Sequence, residues 1–210
     1  MDKSKILFWN VDTQVDFIEP EGKLYVSGAE EIRPILRRIT DFARLEGIRV
    51  VNTCDYHFIN SAELSKNPDY IATFPEHCMA GSPGAEFIPE TLPEFPIVIE
   101  WDSDLGIFQE LNNPEKYRNI VIRKDAFDVF DGNPHAEKVL EILNPERVFA
   151  YGVATNVCVD KEVTSLVNRG IKVYVFEDAI KELTNIPLPF IHWRNIGVDM
   201  ISFNDVRKYI

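Results

Sequence analysis

The sequence predicts one α/β domain of three layers, α/β/α, built on a mainly parallel sheet. Apolar runs rich in β-branched residues alternate with amphipathic stretches of helical period, the order expected of successive β-α-β units. The chain has 210 residues, of which 45% are hydrophobic, enough to bury one substantial core. No repeat, low-complexity tract or interdomain linker interrupts it. We therefore expect a single domain over residues 1–210.

Six apolar runs are predicted to form strands, because β-branched and aromatic residues favour a pleated, buried surface. They are residues 6–11, 48–53, 120–122, 148–152, 173–176 and 198–201. Amphipathic periodicity predicts helices over 29–45, 134–143 and 160–168, the first ended by Gly47 and the last by Gly170. The segment between the second and third strands has little periodicity. Long irregular insertions are usually functional, so we predict a metal and substrate loop at about 55–95.

Composition restricts the partners. The 22 basic and 34 acidic side chains give a net charge of −12, which argues against nucleic acid or an anionic membrane and favours a small-molecule substrate. The lack of a long apolar run or signal-peptide pattern predicts a cytoplasmic protein. Three cysteines, an odd number, predict free thiols in a reducing compartment. We also expect a homo-oligomer.

Three reactive side chains follow predicted strands. Asp12 ends the first, Lys124 follows the run 120–122, and Cys158 lies in the first turn of the helix after 148–152. The carboxyl ends of parallel strands meet at one edge, so these residues are predicted to share a crevice. The helix N-terminus is expected to lower the pKa of Cys158 below its usual ~8.5. Alternatives are a helix cap for Asp12, a solvated loop residue for Lys124 and a buried apolar thiol for Cys158.

A second group of polar residues lies in the insertion. Asp55 and His57 are two positions apart on an extended segment, so both side chains point the same way and can reach one cation. Glu63 and His77 follow in the same insertion. Imidazole and carboxylate ligands suit Zn²⁺, Fe²⁺ or Mn²⁺. Such spacing also arises by chance in long loops.

Four segments, in this order, resemble the nicotinamidase branch of the isochorismatase-like cysteine hydrolases: residues 11–17 (VDTQVDF), 55–57 (DYH), 74–87 (FPEHCMAGSPGAEF) and 152–158 (GVATNVC). The resemblance extends from the first strand to about residue 180. It implies the isochorismatase-like fold and a catalytic triad of Asp12, Lys124 and Cys158. It also implies one divalent metal ion, with zinc as first choice and iron or manganese as alternatives.

The metal ligands implied by the resemblance are Asp55, His57, Glu63 and His77. Glu63 departs from the family pattern, which often has histidine there, and its carboxylate would shift the preference modestly away from zinc. A solvated loop acid is the alternative for Glu63.

The resemblance further implies thioester chemistry on an amide. The backbone amides of Ala154 and Cys158 would form the oxyanion hole, and the Val153–Ala154 peptide would be cis. Phe17 and Phe74 match positions that pack against the substrate ring, and Phe127 and Phe130 are predicted to close the far wall. Ordinary core packing is the alternative for each phenylalanine.

The predicted activity is metal-dependent hydrolysis of nicotinamide to nicotinate and ammonia, a reaction of pyridine nucleotide salvage. Another amidohydrolase of the family, acting on a carbamoyl or ureido compound, is the main alternative. Isochorismatase activity is less favoured, because vinyl-ether hydrolysis does not need the metal loop. A non-catalytic binding protein on the same fold is a third class, and the intact triad argues against it.

Overall fold

A computed structural model of the chain describes residues 2–210, and for Leu105 the backbone only. Within these residues, seven strands form one sheet in the order β3-β4-β2-β1-β5-β6-β7. The strands are β1 (Ile6–Val11), β2 (Arg49–Asp55), β3 (Ile97–Ile99), β4 (Asn119–Lys124), β5 (Arg147–Val153), β6 (Lys172–Lys181) and β7 (Asp199–Ile201). Every neighbouring pair is parallel, which confirms the predicted parallel sheet.

The described residues also contain seven α-helices: α1 (Val15–Ile18), α2 (Arg33–Glu46), α3 (Leu105–Glu110), α4 (Val129–Gly132), α5 (Ala136–Leu143), α6 (Cys158–Asn168) and α7 (Phe190–Asn195). Two contacts of β1 place helices on both faces of the sheet. The Phe8 ring stacks 6.1 Å from Phe42 of α2, and Trp9 Nε1 donates to Glu162 Oε2 of α6 at 2.6 Å. Successive residues of a strand point to opposite faces, so α2 and α6 form the two outer layers predicted.

The predicted helix over 29–45 is divided. Ala29–Ile32 is a 3₁₀ turn, and α2 begins at Arg33. Pro34 lies in the first turn of α2, where backbone N–H groups have no acceptor within the helix, so proline costs no hydrogen bond there. The helix ends as predicted at Gly47, whose φ of 66° lies in the left-handed region that favours glycine. The other two helices begin at Ala136 and Cys158, each two residues away from the predicted start.

The segment between β2 and β4 is less irregular than predicted. It contains a 3₁₀ turn at Pro83–Ala85, the edge strand β3 and helix α3. The sequence prediction missed β3 because its three residues directly follow Pro96 in a stretch that also contains Pro89 and Pro93, and such a stretch is typical of loops. Within the described residues, no helix combines the length and apolar character needed to cross a membrane.

The buried sheet fixes where the reactive residues lie. All six residues of β1 are buried, and β1 is paired with β2 on one side and β5 on the other. Since β4 lies beyond β2, the carboxyl ends of β1, β2, β4 and β5 meet at one edge of the sheet. This edge holds both groups of polar residues identified in the sequence.

Candidate active site

Asp12, Lys124 and Cys158 are brought together at this edge. The Nζ of Lys124 lies 2.8 Å from Asp12 Oδ2 and 3.7 Å from Cys158 Sγ. Asp12 and Lys124 are completely buried and Cys158 is 5% exposed. The Lys124 ammonium also forms a short ion pair with Asp55 and donates to the Ala126 carbonyl at 3.1 Å. The predicted crevice is therefore an ion network around one buried lysine.

Lys124 is held in its charged form by its neighbours. Burial alone would lower its pKa, but the carboxylates of Asp12 and Asp55 raise it well above the ordinary value. Atoms of Asp12, Asp55 and Cys158 also lie within 4.8 Å of one another, a spacing that suits a cation. The Lys124 ammonium already supplies positive charge to this group, so we do not assign it a metal ion.

Asp12 is placed to accept a proton. It leaves β1 with a left-handed φ of 49°, which is uncommon outside glycine, and its Oδ1 accepts a hydrogen bond from Thr53 Oγ1 at 2.9 Å. Burial raises the pKa of Asp12 to about 6, against the opposing effect of Lys124. Asp12 is therefore mostly ionised at neutral pH. Its proton affinity is higher than that of an exposed aspartate.

Cys158 lies in the first turn of α6, as predicted from the sequence, but the expected lowering of its pKa is wrong. Burial raises the pKa of the Cys158 thiol well above its ordinary value, and Lys124 opposes this only in part. The nearby carboxylates of Asp12 and Asp55 act in the same direction as burial. The resting side chain is a thiol, which must lose its proton during the reaction.

The backbone beside Cys158 presents free N–H groups. The Val153–Ala154 peptide is cis, as the resemblance implied. Within residues 2–210, neither the Ala154 nor the Cys158 amide donates a hydrogen bond, whereas Val157 N and Val159 N donate to the Ala154 carbonyl. Two unpaired amides beside a thiol match the requirement for binding an oxyanion.

The second group of polar residues lies next to Lys124. Asp55 Oδ2 is 3.6 Å from His57 Nε2 and 3.7 Å from His77 Nε2, and Glu63 Oε2 is 3.9 Å from His57 Nε2. All four side chains are buried. Asp55, His57 and His77 form a compact donor set whose ligand atoms all lie within 4.8 Å of one another. Glu63 approaches this set from the His57 side.

Main-chain bonds hold the loop in place. His57 N donates to the Cys78 carbonyl at 3.0 Å and Ala80 N donates to the His57 carbonyl at 2.8 Å, which fastens the segment after His77 to the end of β2. Phe74 N donates to the Glu63 carbonyl at 2.8 Å. The loop therefore returns twice to the sheet edge, once with Glu63 and once with His77.

The donor chemistry fits a divalent cation. His77 Nδ1 donates to the Pro75 carbonyl at 2.7 Å, and His57 Nδ1 is 2.6 Å from Asp125 Oδ1, so each ring directs Nε2 at the group. Metal-bound histidines are usually oriented in this way. Within the described residues, His57 Nε2 and Glu63 Oε2 are buried without a hydrogen-bond partner. A cation would satisfy both atoms. The sequence prediction did not include Asp125, although it directly follows Lys124.

Protons compete for the same donors. Burial alone would lower the pKa of His57, but the carboxylates of Asp55 and Asp125 raise it to about 9. Burial raises the pKa of Glu63 to about 7, helped by the negative charge of Asp55. The pKa of Asp55 lies well below its ordinary value because Lys124 outweighs the effect of burial. A metal ion would replace the protons of His57 and Glu63.

A narrow cavity joins the two groups. Cys158, Asp55 and His77 line it, together with apolar side chains and Ala154: Phe17, Leu24, Val26, Phe74, Phe127, Val157 and Leu183. The Phe17 ring lies 5.3 Å from His77, and Phe74 meets Phe127 edge to face at 5.8 Å. Three of the four predicted phenylalanines are therefore at the cavity. Leu24, Val26 and Leu183 also line the cavity, although no site residue was predicted in their segments.

Phe130 was predicted to line this cavity, and that prediction is wrong. Its ring stacks 6.2 Å from Trp9 and lies under the Arg169 guanidinium at 3.8 Å. The reason is local: Asp128 caps α4 by accepting a hydrogen bond from Phe130 N, and the helix turns the Phe130 side chain toward β1 and α6.

Comparison with known families agrees with this geometry. The model of the isochorismatase domain matches residues 6–186. The chain belongs to the isochorismatase family. It is 27% identical over 172 residues to the nicotinamidase/pyrazinamidase of Mycobacterium tuberculosis, a match that covers 80% of this chain and 82% of that protein. Family membership and the amidase relatives support an enzyme of the amidohydrolase class.

Solved structures share the fold. The pyrazinamidase of Pyrococcus horikoshii in complex with zinc superposes with a TM-score of 0.72 at 24% identity, covering 95% of this chain and 99% of that one. The N-carbamoylsarcosine amidase of Thermoplasma acidophilum gives a TM-score of 0.71 at 20% identity, covering 94% and 96%. At these identities the likeness supports the three-layer fold alone.

Proposed function

We propose that the chain is a metal-dependent cysteine amidohydrolase that converts nicotinamide to nicotinate and ammonia. One observation carries the proposal: the Cys158 thiol and the donors Asp55 and His77 line the same aromatic cavity. A flat ring with a nitrogen donor on one side and a carboxamide on the other can reach both. The nicotinamidase/pyrazinamidase relative supports this choice of substrate. The reaction would belong to pyridine nucleotide salvage.

The metal site is proposed to consist of Asp55, His57, Glu63 and His77, within the loop 55–95. A bound divalent cation would supply a Lewis-acid anchor for the ring nitrogen of the substrate. The zinc complex of the Pyrococcus horikoshii pyrazinamidase makes zinc the first metal to test, with iron and manganese as alternatives. Phe17, Phe74 and Phe127 would hold the ring in the plane that directs its amide toward sulfur.

Asp12 begins the chemistry as general base. It accepts the Cys158 proton while sulfur attacks the amide carbon, so that a thiol with a raised pKa need not ionise in advance. The oxygen of the tetrahedral intermediate becomes negative, and the free amides of Ala154 and Cys158 donate to it. The carbon–nitrogen bond then breaks as Asp12 returns the proton to nitrogen, and ammonia leaves.

The second half of the reaction repeats these roles. Water attacks the Cys158 thioester while Asp12 accepts a proton from the water. The carbon–sulfur bond breaks, the carboxylic acid product forms and sulfur regains its proton. Lys124 keeps positive charge 3.7 Å from sulfur and 2.8 Å from Asp12 throughout, which stabilises the thiolate as it forms and the ionised aspartate.

The cavity must open for substrate to enter. Its volume is about 20 Å³, room for about one water molecule. A pyridine ring therefore requires movement of the lining side chains.

A comparison of kcat/KM between substrates tests the proposed activity. Ammonia release should be measured for nicotinamide and for a panel of N-carbamoyl and ureido acids, with protein loaded with zinc, iron or manganese. We expect nicotinamide to give the highest kcat/KM and a chelator to remove the activity. A higher kcat/KM for an N-carbamoyl or ureido substrate would instead support the alternative amidohydrolase.

A further inference from the structure

A second, larger cavity lies at the amino-terminal edge of the sheet, opposite the active site. Its volume is about 720 Å³, within the range of about 300–1,000 Å³ typical of small-molecule sites. Residues from the segments that lead into β1, β2, β4 and β5 line it. The catalytic residues belong to the other ends of these strands, so this cavity is separate from the proposed reaction.

Positive charge is concentrated in this cavity. Its charged lining residues are Lys3, Lys5, Arg49, Arg118 and Glu115, four cations and one carboxylate in a chain of net charge −12. Lys3 is paired with Glu46 at 2.6 Å and Arg118 with Glu94 at 3.3 Å. Lys5 donates only to the Asn144 carbonyl at 3.2 Å, and neither Lys5 nor Arg49 forms an ion pair within residues 2–210. Arg49 thus has no counter-charge within the described residues, whereas Lys5 lies near the Asp2 carboxylate.

Arg49 has an unused pair of donors. Its Nη1 donates to the Leu111 carbonyl at 2.9 Å, whereas Nε and Nη2 are buried and have no acceptor in the described part of the chain. These two nitrogens form one edge of the guanidinium, whose parallel N–H bonds match two oxygens of a single phosphate or carboxylate. Buried donors without acceptors are unfavourable, so an oxyanion would supply what the protein does not.

We propose that this cavity binds a phosphorylated small molecule, with two phosphate oxygens accepting from Arg49 Nε and Nη2 and with Lys5 adding charge. The excess of cations over carboxylates favours a doubly charged phosphate over a single carboxylate. The donor edge is shielded from water, so binding requires the guanidinium to turn toward the cavity that it lines. Free phosphate and a phosphate ester share this chemistry.

Titration calorimetry on the metal-loaded protein can test the site, with inorganic phosphate and adenosine monophosphate as probes at constant ionic strength. We expect saturable binding that weakens at least ~10-fold in Arg49→Gln, in line with the loss of a charge-assisted pair of hydrogen bonds. Arg49→Lys should recover only part of the affinity, because an ammonium lacks the parallel donor edge. Tighter binding of the nucleotide would assign a phosphate ester, and tighter binding of phosphate the free anion.

Two further variants separate loss of the proposed site from misfolding and from general charge attraction. Lys5→Gln leaves the Arg49 contact with Leu111 intact and should also weaken binding, so the test survives if Arg49→Gln fails to fold. Arg194→Gln is the matched control, because Arg194 is exposed on α7 and does not line the cavity. Absence of saturable binding would overturn the proposal. Unchanged binding in both Arg49→Gln and Lys5→Gln would also overturn it, because the anion would then bind at the active-site metal. An equal loss of binding in Arg194→Gln would overturn it too, because it would indicate general charge attraction.

Discussion

Replacement of Asp12 by asparagine should have opposite effects on two reactions of the same sulfur. Asparagine keeps an oxygen that can accept from Thr53 Oγ1, so the fold around β1 should be retained. It removes the base that takes the Cys158 proton. It also removes a buried negative charge beside the thiol, which at present raises the thiol pKa. Amide hydrolysis should therefore slow while simple alkylation of Cys158 speeds up.

The magnitudes follow from the geometry. General-base catalysis contributes about 10²–10⁴-fold, so hydrolysis should fall by a factor in that range. Atoms of Asp12 and Cys158 lie within 4.8 Å of one another. At that distance or less, with an effective dielectric constant of about 20, repulsion between the carboxylate and a thiolate is at least roughly 3.5 kcal/mol. Removing this repulsion should raise the thiolate fraction, and with it the alkylation rate, at least ~10-fold after relaxation of the site.

The assay compares single-turnover ammonia release with iodoacetamide labelling of Cys158, followed by peptide mass spectrometry. Thr53→Val is the control, because it removes the hydrogen bond to Asp12 but keeps its charge. This variant should show a smaller loss of hydrolysis and slow alkylation like the parent. Parallel losses of hydrolysis and alkylation in Asp12→Asn would contradict the predicted effect of the Asp12 charge on the thiol. Unchanged hydrolysis would contradict the role of Asp12 as base.

Three other predictions concern the metal donors and the backbone. Glu63→Ala should lower the metal content after dialysis, and Glu63→His should restore it with a bias toward zinc; unchanged content in Glu63→Ala would remove Glu63 from the ligand set. Metal affinity, measured with a competing chelator, should rise as pH increases from 6 to 9, because Glu63 (pKa about 7) and His57 (pKa about 9) must lose protons to bind; a pH-independent affinity would contradict this. Gly152→Ala should lower the free energy of unfolding, measured by urea denaturation, by at least ~2 kcal/mol. A Cβ at Gly152 would lie 2.0 Å from the Val11 carbonyl oxygen, and the φ of Gly152 is 122°. An unchanged denaturation midpoint would show that β1 and β5 can move apart to accept the methyl group.

Much of the architecture could be predicted because it depends on local pattern. The runs that became β1, β2, β4 and β5 are apolar and rich in β-branched residues, and a parallel sheet brings their carboxyl ends to one edge. That rule alone brings Asp12, Lys124 and Cys158 together. The edge strand β3 has the same Ile-Val-Ile sequence as the predicted run 120–122, but it follows Pro96 within the Pro-rich insertion, and its place in the sheet is set by pairing with β4.

The features that could not be predicted depend on tertiary structure. The helix N-terminus was expected to favour a thiolate at Cys158, but burial of the thiol outweighs that local effect. Phe130 is separated from Phe127 by a capped turn that sends the two rings in different directions. The contact between Asp125 and His57 joins residues 68 positions apart, and only the turn after β4 brings them within 2.6 Å.

Thioester catalysis by Cys158 can be tested by the rate of ammonia release from nicotinamide, measured for metal-loaded Cys158→Ala beside the parent protein. We predict a loss of at least ~10⁴-fold in kcat, because the described side chains that line the cavity include no second thiol and no hydroxyl to form an acyl intermediate. Circular dichroism and metal content should stay at parental values, since Cys158 is outside the proposed ligand set. Turnover near the parental rate in folded Cys158→Ala would contradict thioester catalysis at this site.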